Sequence, residues 1–444
     1  MSRTVSREVS LTTLFEGWLD DVPQVRINGL TSDAARIETG NAWVVRGRVD
    51  ASDAARAKAA GAAIVIHDSS ADMPESGIPS LAVADLENRV SELAARFFFH
   101  PASGLKIAGV AGPAGTASAV HYLAQSWQRV NGAAGLVGEA GHGPFKMLQA
   151  DSAAISDPLV LQASLSDCLE SGAGMVALEA LPQLLERGWL DEIAFDVAVF
   201  TGQAGSRAVP REEPASQRLF TECRPQFAVV DHDDAEGKTL TRLVDPATQV
   251  LTYGTNGATE LQGSILGMDS TGMNLSIASP WGGGDVRTGL LGRRNLSNLL
   301  AAAGALALMG MPWDKVMHQI EIMSAVPGRM NCLAGERGQP AAVIDGARTA
   351  EELEEVLLTL RSHLHGRLAC VLASGAEQQA EMVELAESLA DRVFTATPAR
   401  RREAIRLALS ENGPGDIVLI AGMGLGDWQR NGEAAVRDLL EEAA

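Results

Sequence analysis

Gly109-Val-Ala-Gly-Pro-Ala-Gly-Thr-Ala-Ser118 has the layout of a phosphate-binding loop without its lysine. A hydrophobic lead-in, Leu105 to Val110, runs into glycines at 109, 112 and 115, and a helix-forming stretch, Ala117 to Val130, follows. Such a turn aims backbone N–H groups and the positive end of a helix at an anion. In a working loop the last glycine is followed by lysine, for the β/γ-phosphates, and then by a hydroxyl residue on Mg²⁺. Here Thr116 and Ala117 hold those places, and Ser118 keeps a hydroxyl one residue on. The scaffold of nucleotide chemistry is present and two of its active groups are missing. Gly112 and Gly115 also have a purely structural reading, because a tight strand-to-helix turn needs the backbone freedom of glycine.

The rest of the composition bounds what such a loop can serve. The 444 residues suffice for two to four domains, and 46% hydrophobic content is that of a soluble globular protein. No apolar run reaches the ~18 residues of a membrane span. The first ten residues are polar and lack an apolar signal core, so the expected location is the cytoplasm. Cys168, Cys223, Cys332 and Cys370 are scattered with no Cys-x-x-Cys pair, as expected of reduced thiols. A net charge of −20 argues against nucleic acid, which needs a basic face. It also works against a strongly anionic ligand outside a local basic pocket, and it serves solubility in its own right.

Strand and helix patterns alternate along the chain, which predicts an α/β fold built on mostly parallel sheets. Ala42 to Val45, Ala62 to Ile66 and Ser80 to Val83 read as strands, with helices over Ala51 to Ala60 and Leu86 to Phe99. A second region begins near Gly104. It holds the glycine loop, a helix over Asp157 to Ser171, and buried strands at Gly174 to Leu178, Val197 to Phe200 and Gln226 to Val230. Gln249 to Tyr253 and Gly263 to Pro280 form a strand-rich return before an apolar helix, Asn295 to Met309. From Pro327 onward the β-α repetition reads as a doubly wound, Rossmann-like domain. The expected domains are 1–103, 104–326 and 327–444, and Thr201 to Ala215 is the segment expected to be mobile.

Several anchors together resemble the Mur ligase family, and within it the MurE type. The most specific is Ser279-Pro-Trp-Gly-Gly-Gly-Asp-Val-Arg287, followed by Leu290-Leu-Gly-Arg-Arg-Asn-Leu-Ser-Asn298. Val326-Pro-Gly-Arg-Met330 matches the stretch that opens the family's third domain. Gly61 to Val65, Arg96 to Pro101, Leu251 to Gly254 and Ala421-Gly422 fall in order around them. The resemblance implies a three-domain architecture: an N-terminal UDP-sugar-binding-like domain, a central P-loop-like parallel-sheet domain for ATP, and a C-terminal Rossmann-like domain for the incoming amino acid. The reaction it implies activates a carboxylate as an acyl phosphate, which an amine then attacks. That chemistry is mostly positioning and neutralisation of phosphate charge.

Residue by residue, most of the chemically active groups implied by the resemblance are gone. Thr116 stands at the family's lysine and Ala117 at its magnesium-binding threonine. Glu179 falls on the acidic residue of a metal-binding segment, but its serine and histidine neighbours are replaced, and one carboxylate is a poor Mg²⁺ site. Ser206 and Arg207 replace an aspartate and a metal-binding histidine, and Ser216 replaces the lysine that is carbamylated in the family. The third domain retains Asp345 but loses the tyrosine and histidine beside it; Gln378 replaces an arginine, and Ala396-Thr-Pro-Ala399 replaces the segment that selects the amino acid. The turn Gly422 to Gly426 and the first-domain Asp33-Ala-Ala35 depart similarly. Asn295 and Arg329 match positions near adenine and its sugar, and Gly292 and Asn298 match the helix start. Arg329 and Asp345 can hold a ribose or each other.

Removing one preorganised charge stabiliser costs roughly 10²–10³ in rate, so two independent losses predict a rate ~10⁴–10⁶ below that of a normal ligase. The expectation is a catalytically inactive protein that binds or scaffolds a protein partner, another ligase or biosynthetic enzyme, without ATP or Mg²⁺. Two alternatives stand beside it. One is a divergent ATP-dependent amide ligase built on Glu179, Asp345, Asn295 and Ser118, with Arg207 or Lys146 as replacement cation. The other is a nucleotide or UDP-sugar sensor. Trp281, Trp313 and Trp428 do not by themselves draw an interface.

Overall fold

The computed structural model describes residues 8–49, 51–71, 77–151, 153–202, 215–335, 338–372, 379–422 and 433–442. Two compact units make up the chain. The first is 1–109, 132–196 and 212–225; the second is 110–131, 197–211 and 226–444.

The first unit opens with a four-stranded, wholly parallel sheet of β1 (Gly29–Thr31), β2 (Asn41–Val45), β3 (Ile64–Asp68) and β4 (Ser80–Val83). Helix α1 (Leu86–Phe97) buries Leu86, Val90, Leu93 and Phe97, spaced for one helical face. Strand β5 (Lys106–Ala111) runs from this unit into the second, which holds α2 (Thr116–Val130). Back in the first unit, β6 (Ala134–Gly138) pairs antiparallel with β7 (Gly141–Pro144). After α3 (Pro158–Glu170), β8 (Met175–Glu179) pairs parallel with β6. Asp157 caps α3 through the Leu159 N–H at 2.9 Å, and Pro158 takes the first helical position, where its missing N–H costs nothing. The same carboxylate accepts the Ser32 hydroxyl and faces Arg46 at 3.8 Å.

The second unit has a sheet in which β9 (Val197–Phe200), β10 (Phe227–Asp231), β11 (Gln249–Gly254) and β12 (Leu261–Asp269) run parallel. Between β10 and β11 lies α4 (Ala235–Leu243). The sheet continues antiparallel through β13 (Gly272–Ser279) and β14 (Gly282–Thr288). Helix α5 (Arg293–Leu308) packs on this sheet and on α2; Gly304 is what lets it approach Val229 and Leu251. Helix α6 (Trp313–Glu321) follows.

The C-terminal sheet orders β15 (Asn331–Leu333), β16 (Ala341–Ile344), β19 (Ile417–Ala421), β17 (Leu368–Leu372) and β18 (Arg392–Thr395), with only β15 antiparallel to its neighbour. Alternate residues feed two separate cores. Val343, Cys370 and Leu419 pack with α7 (Ala350–Ser362) and α8 (Gln379–Leu389). Ala342, Val371 and Val418 pack with α9 (Arg401–Ser410) and α10 (Glu433–Glu442). Helices on both faces of a parallel sheet make this the doubly wound arrangement that the sequence predicts. Among the described residues no helix is long and apolar enough to cross a membrane.

Candidate functional site

The turn between β5 and α2 is held by glycine geometry. Gly112 has φ +147° and Gly115 has φ +84°. A Cβ at Gly112 would strike the Thr201 carbonyl, and one at Gly115 would strike the Asn298 side chain. The structural reading of both glycines is therefore met, and the same geometry leaves N–H groups at the start of a 15-residue helix. Thr201 closes the turn by donating its N–H to the Ala111 carbonyl at 2.9 Å. Its hydroxyl is fully buried beside Gly112 and has no hydrogen-bond partner among the described residues.

Other groups around this loop are hydrogen-bonded within the fold. Tyr122, on α2 one turn past Ser118, donates its hydroxyl to Asn295 Oδ1 at 2.8 Å and is hydrogen-bonded by Ser118. Burial pushes its phenol well above the ordinary range. Asn295 spends its amide on the Leu291 carbonyl at 2.8 Å. Thr116 opens α2 and makes no cap, and Ala117 is a buried methyl. At the end of β10, Asp231 accepts the Ser297 hydroxyl at 3.2 Å, with burial raising its carboxyl above the usual range.

Arg329 acts on Asp345 through its charge. Asp345 accepts the N–H groups of Met330 and Ala347 at 2.8 and 2.9 Å, and the Arg329 charge bears on it. Burial nonetheless raises its pKa to about 6, against the pull of those donors. Met330 sits at φ +48°, so this carboxylate fastens a strained corner just before β15.

In the first unit Glu179 ends β8 fully buried, with Oε2 accepting the Glu139 N–H at 3.3 Å. Its side chain fills the space that a Cβ at Gly138 would need. It is thus hydrogen-bonded locally and not solvated. Ser216 is buried in a short 3₁₀ turn, Lys146 is exposed, and Asp33 caps the turn at Ala35. Ser206, Arg207, Gln378, Trp428 and most of the expected mobile segment lie outside the described residues. Among the described residues no three His, Cys, Asp or Glu side chains converge as metal ligands. Nor do Ala117 and the locally bonded Glu179 fit a Mg²⁺ site. The N–H turn with the buried Thr201 hydroxyl has the donor chemistry for an anion.

Residues 210–306 match the Mur ligase middle domain, and residues 328–402 match the Mur ligase glutamate ligase domain. A UDP-N-acetylmuramoyl-L-alanyl-D-glutamate--2,6-diaminopimelate ligase of Xanthomonas campestris pv. campestris is 32% identical over 99% of this chain and 97% of its own. This chain belongs to the Mur ligase family. A Coxiella burnetii relative of the same name is 29% identical over 90% of this chain and 91% of its own. A solved structure of a ligase with that name superposes with a TM-score of 0.73 at 23% identity, covering 98% of this chain and 99% of the other. A Thermotoga maritima MurF structure in complex with ADP superposes at 0.63 with 16% identity, over 94% and 98% of the two chains. The α/β Mur ligase architecture is thereby shared along the chain. Tyr122, Thr201 and the Ser297–Asp231 pair were not singled out from sequence. Their partners lie far along the chain, and only the fold brings them together.

Proposed function

We propose that this Mur ligase-family chain uses the ligase scaffold without the ligation, as a cytoplasmic binding or scaffold partner of a biosynthetic enzyme of the cell-wall class. The observation that carries this reading is Thr116 at the lysine position, beside a Tyr122–Asn295 pair already hydrogen-bonded within the fold. A lysine supplies charge to the β/γ-phosphates that a threonine hydroxyl does not. We assign residues 1–103, 104–326 and 327–444 to the UDP-sugar-binding-like, ATPase-like and Rossmann-like domains. In this reading Gly112, Gly115, Thr116, Ser118, Asn295, Arg329 and Asp345 are a vestigial nucleotide site.

A second reading, an ATP-dependent carboxylate–amine ligase, is favoured by near full-length similarity to relatives named as ligases. The comparisons support it more directly than they support the first. Phosphate release from Mg·ATP decides between the two. It is measured with UDP-N-acetylmuramoyl-L-alanyl-D-glutamate and diaminopimelate, on the chain as it stands and on Thr116→Lys. The first reading expects no amine-dependent release from either protein, since restoring one of several lost groups does not restore the set. Amine-dependent release by the unaltered chain overturns it in favour of the ligase. Heat on titrating Mg·ATP without release favours a sensor.

A further inference from the structure

His363 follows α7 and is 1% exposed. Its Nε2 accepts the Gly292 N–H at 2.8 Å, and its Nδ1 lies 3.0 Å from the Asp269 carbonyl. A ring nitrogen that accepts carries no proton, so the proton is on Nδ1 and is donated to Asp269. The two backbone groups thus select one neutral tautomer. The contact has company. Leu291 packs into the same core as Leu353, Leu357 and Leu360 of α7, and Arg294 pairs with Glu355. Cys332 Sγ reaches the Ser270 carbonyl at 3.5 Å. These contacts fasten the C-terminal sheet and α7 to the residues that open α5 and to the turn between β12 and β13.

The charged groups facing the ring are Arg293 at the start of α5 and the Asp269 carboxylate, which Arg287 and Thr271 hold. The Gly272 carbonyl also bears on it. Burial and Arg293 favour the neutral ring; Asp269 and Gly272 oppose them. We propose that His363 is a proton-operated latch. Neutral, it accepts the Gly292 N–H and holds the end of α7 on the loop that starts α5. Protonated, Nε2 turns from acceptor to donor, faces the Gly292 N–H donor to donor, and releases that loop. The released loop leads directly to Asn295, which holds Tyr122, and to Asn298, which packs on Gly115. The latch therefore acts on the back wall of the loop between β5 and α2, whether or not the chain turns over a substrate.

Amide exchange of the full chain tests this, corrected for intrinsic rates and read at about pH 7.5 and about pH 4, since burial holds the His363 ring below the ordinary histidine pKa. Protection of the Gly292 amide is expected to fall by about 2- to 13-fold at the lower pH, since one neutral bond is lost. The β19 amides are expected to stay protected. His363→Gln, whose side-chain carbonyl can accept the same N–H and does not titrate, should hold Gly292 protection nearly constant. Unchanged protection in the unaltered chain overturns the latch, as does the same pH step in His363→Gln. Parallel loss at β19 overturns it too, because that would be unfolding driven elsewhere. Should His363→Gln fail to fold, the ring ¹⁵N shifts of His363 decide: an imidazolium already present at the higher pH overturns the proposal.

Discussion

His121 and Asp345 show how single residues give this chain opposite responses to acid. His121 is buried on α2, and desolvation, helped by Arg129, lowers its pKa to about 4. The unfolded chain binds that proton first, so stability is present above the ordinary histidine value of 6.5 and is lost as pH falls toward 4. Asp345 has the other sign. Its pKa is raised to about 6 by burial, so the folded chain binds the proton first and gains stability as pH falls from 6 toward 3.8. Each effect is bounded by about 3.5 kcal/mol, from ~1.4 kcal/mol per pKa unit. Between 6.5 and 4 the two largely offset, and His121→Leu removes one side of the balance. Urea midpoints of that variant are expected to rise on acidification from pH 6.5 to 4, relative to the unaltered chain. A variant with the same pH slope as its parent shows that His121 is not held neutral by the fold.

The elements divide by whether their signal is local. The turn between β5 and α2 was legible because strand, glycines and helix are consecutive, and the helix begins at Thr116, within one residue of the expected start. Strands of the C-terminal sheet were legible from short apolar runs such as Leu368–Leu372. By contrast β14, Gly-Gly-Gly-Asp-Val-Arg-Thr, has no strand composition and exists because β13 supplies its ladder. Helices α4 and α6 were passed over, although Asp234 before Glu236 is a capping signal for α4. At the site, Thr116 and Ala117 could be read from spacing. That Asn295 is engaged by Tyr122 and Leu291, and that Glu179 is buried against Gly138, depends on packing no spacing reveals. The turn's own demand can be tested at Gly115. Gly115→Ala puts a Cβ into a left-handed residue and against Asn298. It is expected to cost more than ~1 kcal/mol and lower the melting temperature by several degrees. A neutral Gly115→Ala shows that the loop relaxes away from Asn298, and with it that the anion-cradle geometry is not fixed.

Across the whole molecule the cores do not follow the order of the sequence. Residues 132–196 belong with the N-terminal unit, while α2 between them and β5 belongs with the rest. Leu291 makes the same point at one position. It precedes α5 in sequence, yet it is 1% exposed within the core that α7 and α8 form with the C-terminal sheet. If that packing carries stability, truncating Leu291 should cost as much as truncating a residue from inside the sheet lobe, in the range of ~2–5 kcal/mol for a buried leucine. Leu357→Ala, on α7 in the same core, is the reference. Both variants are expected to weaken amide protection along β17, although Leu291 is remote from β17 in sequence. A loop residue that merely rests on the surface would cost within about 0.5 kcal/mol and leave β17 untouched. That outcome would detach the C-terminal core from the start of α5. It would also remove the hydrophobic support on which the His363–Gly292 contact depends.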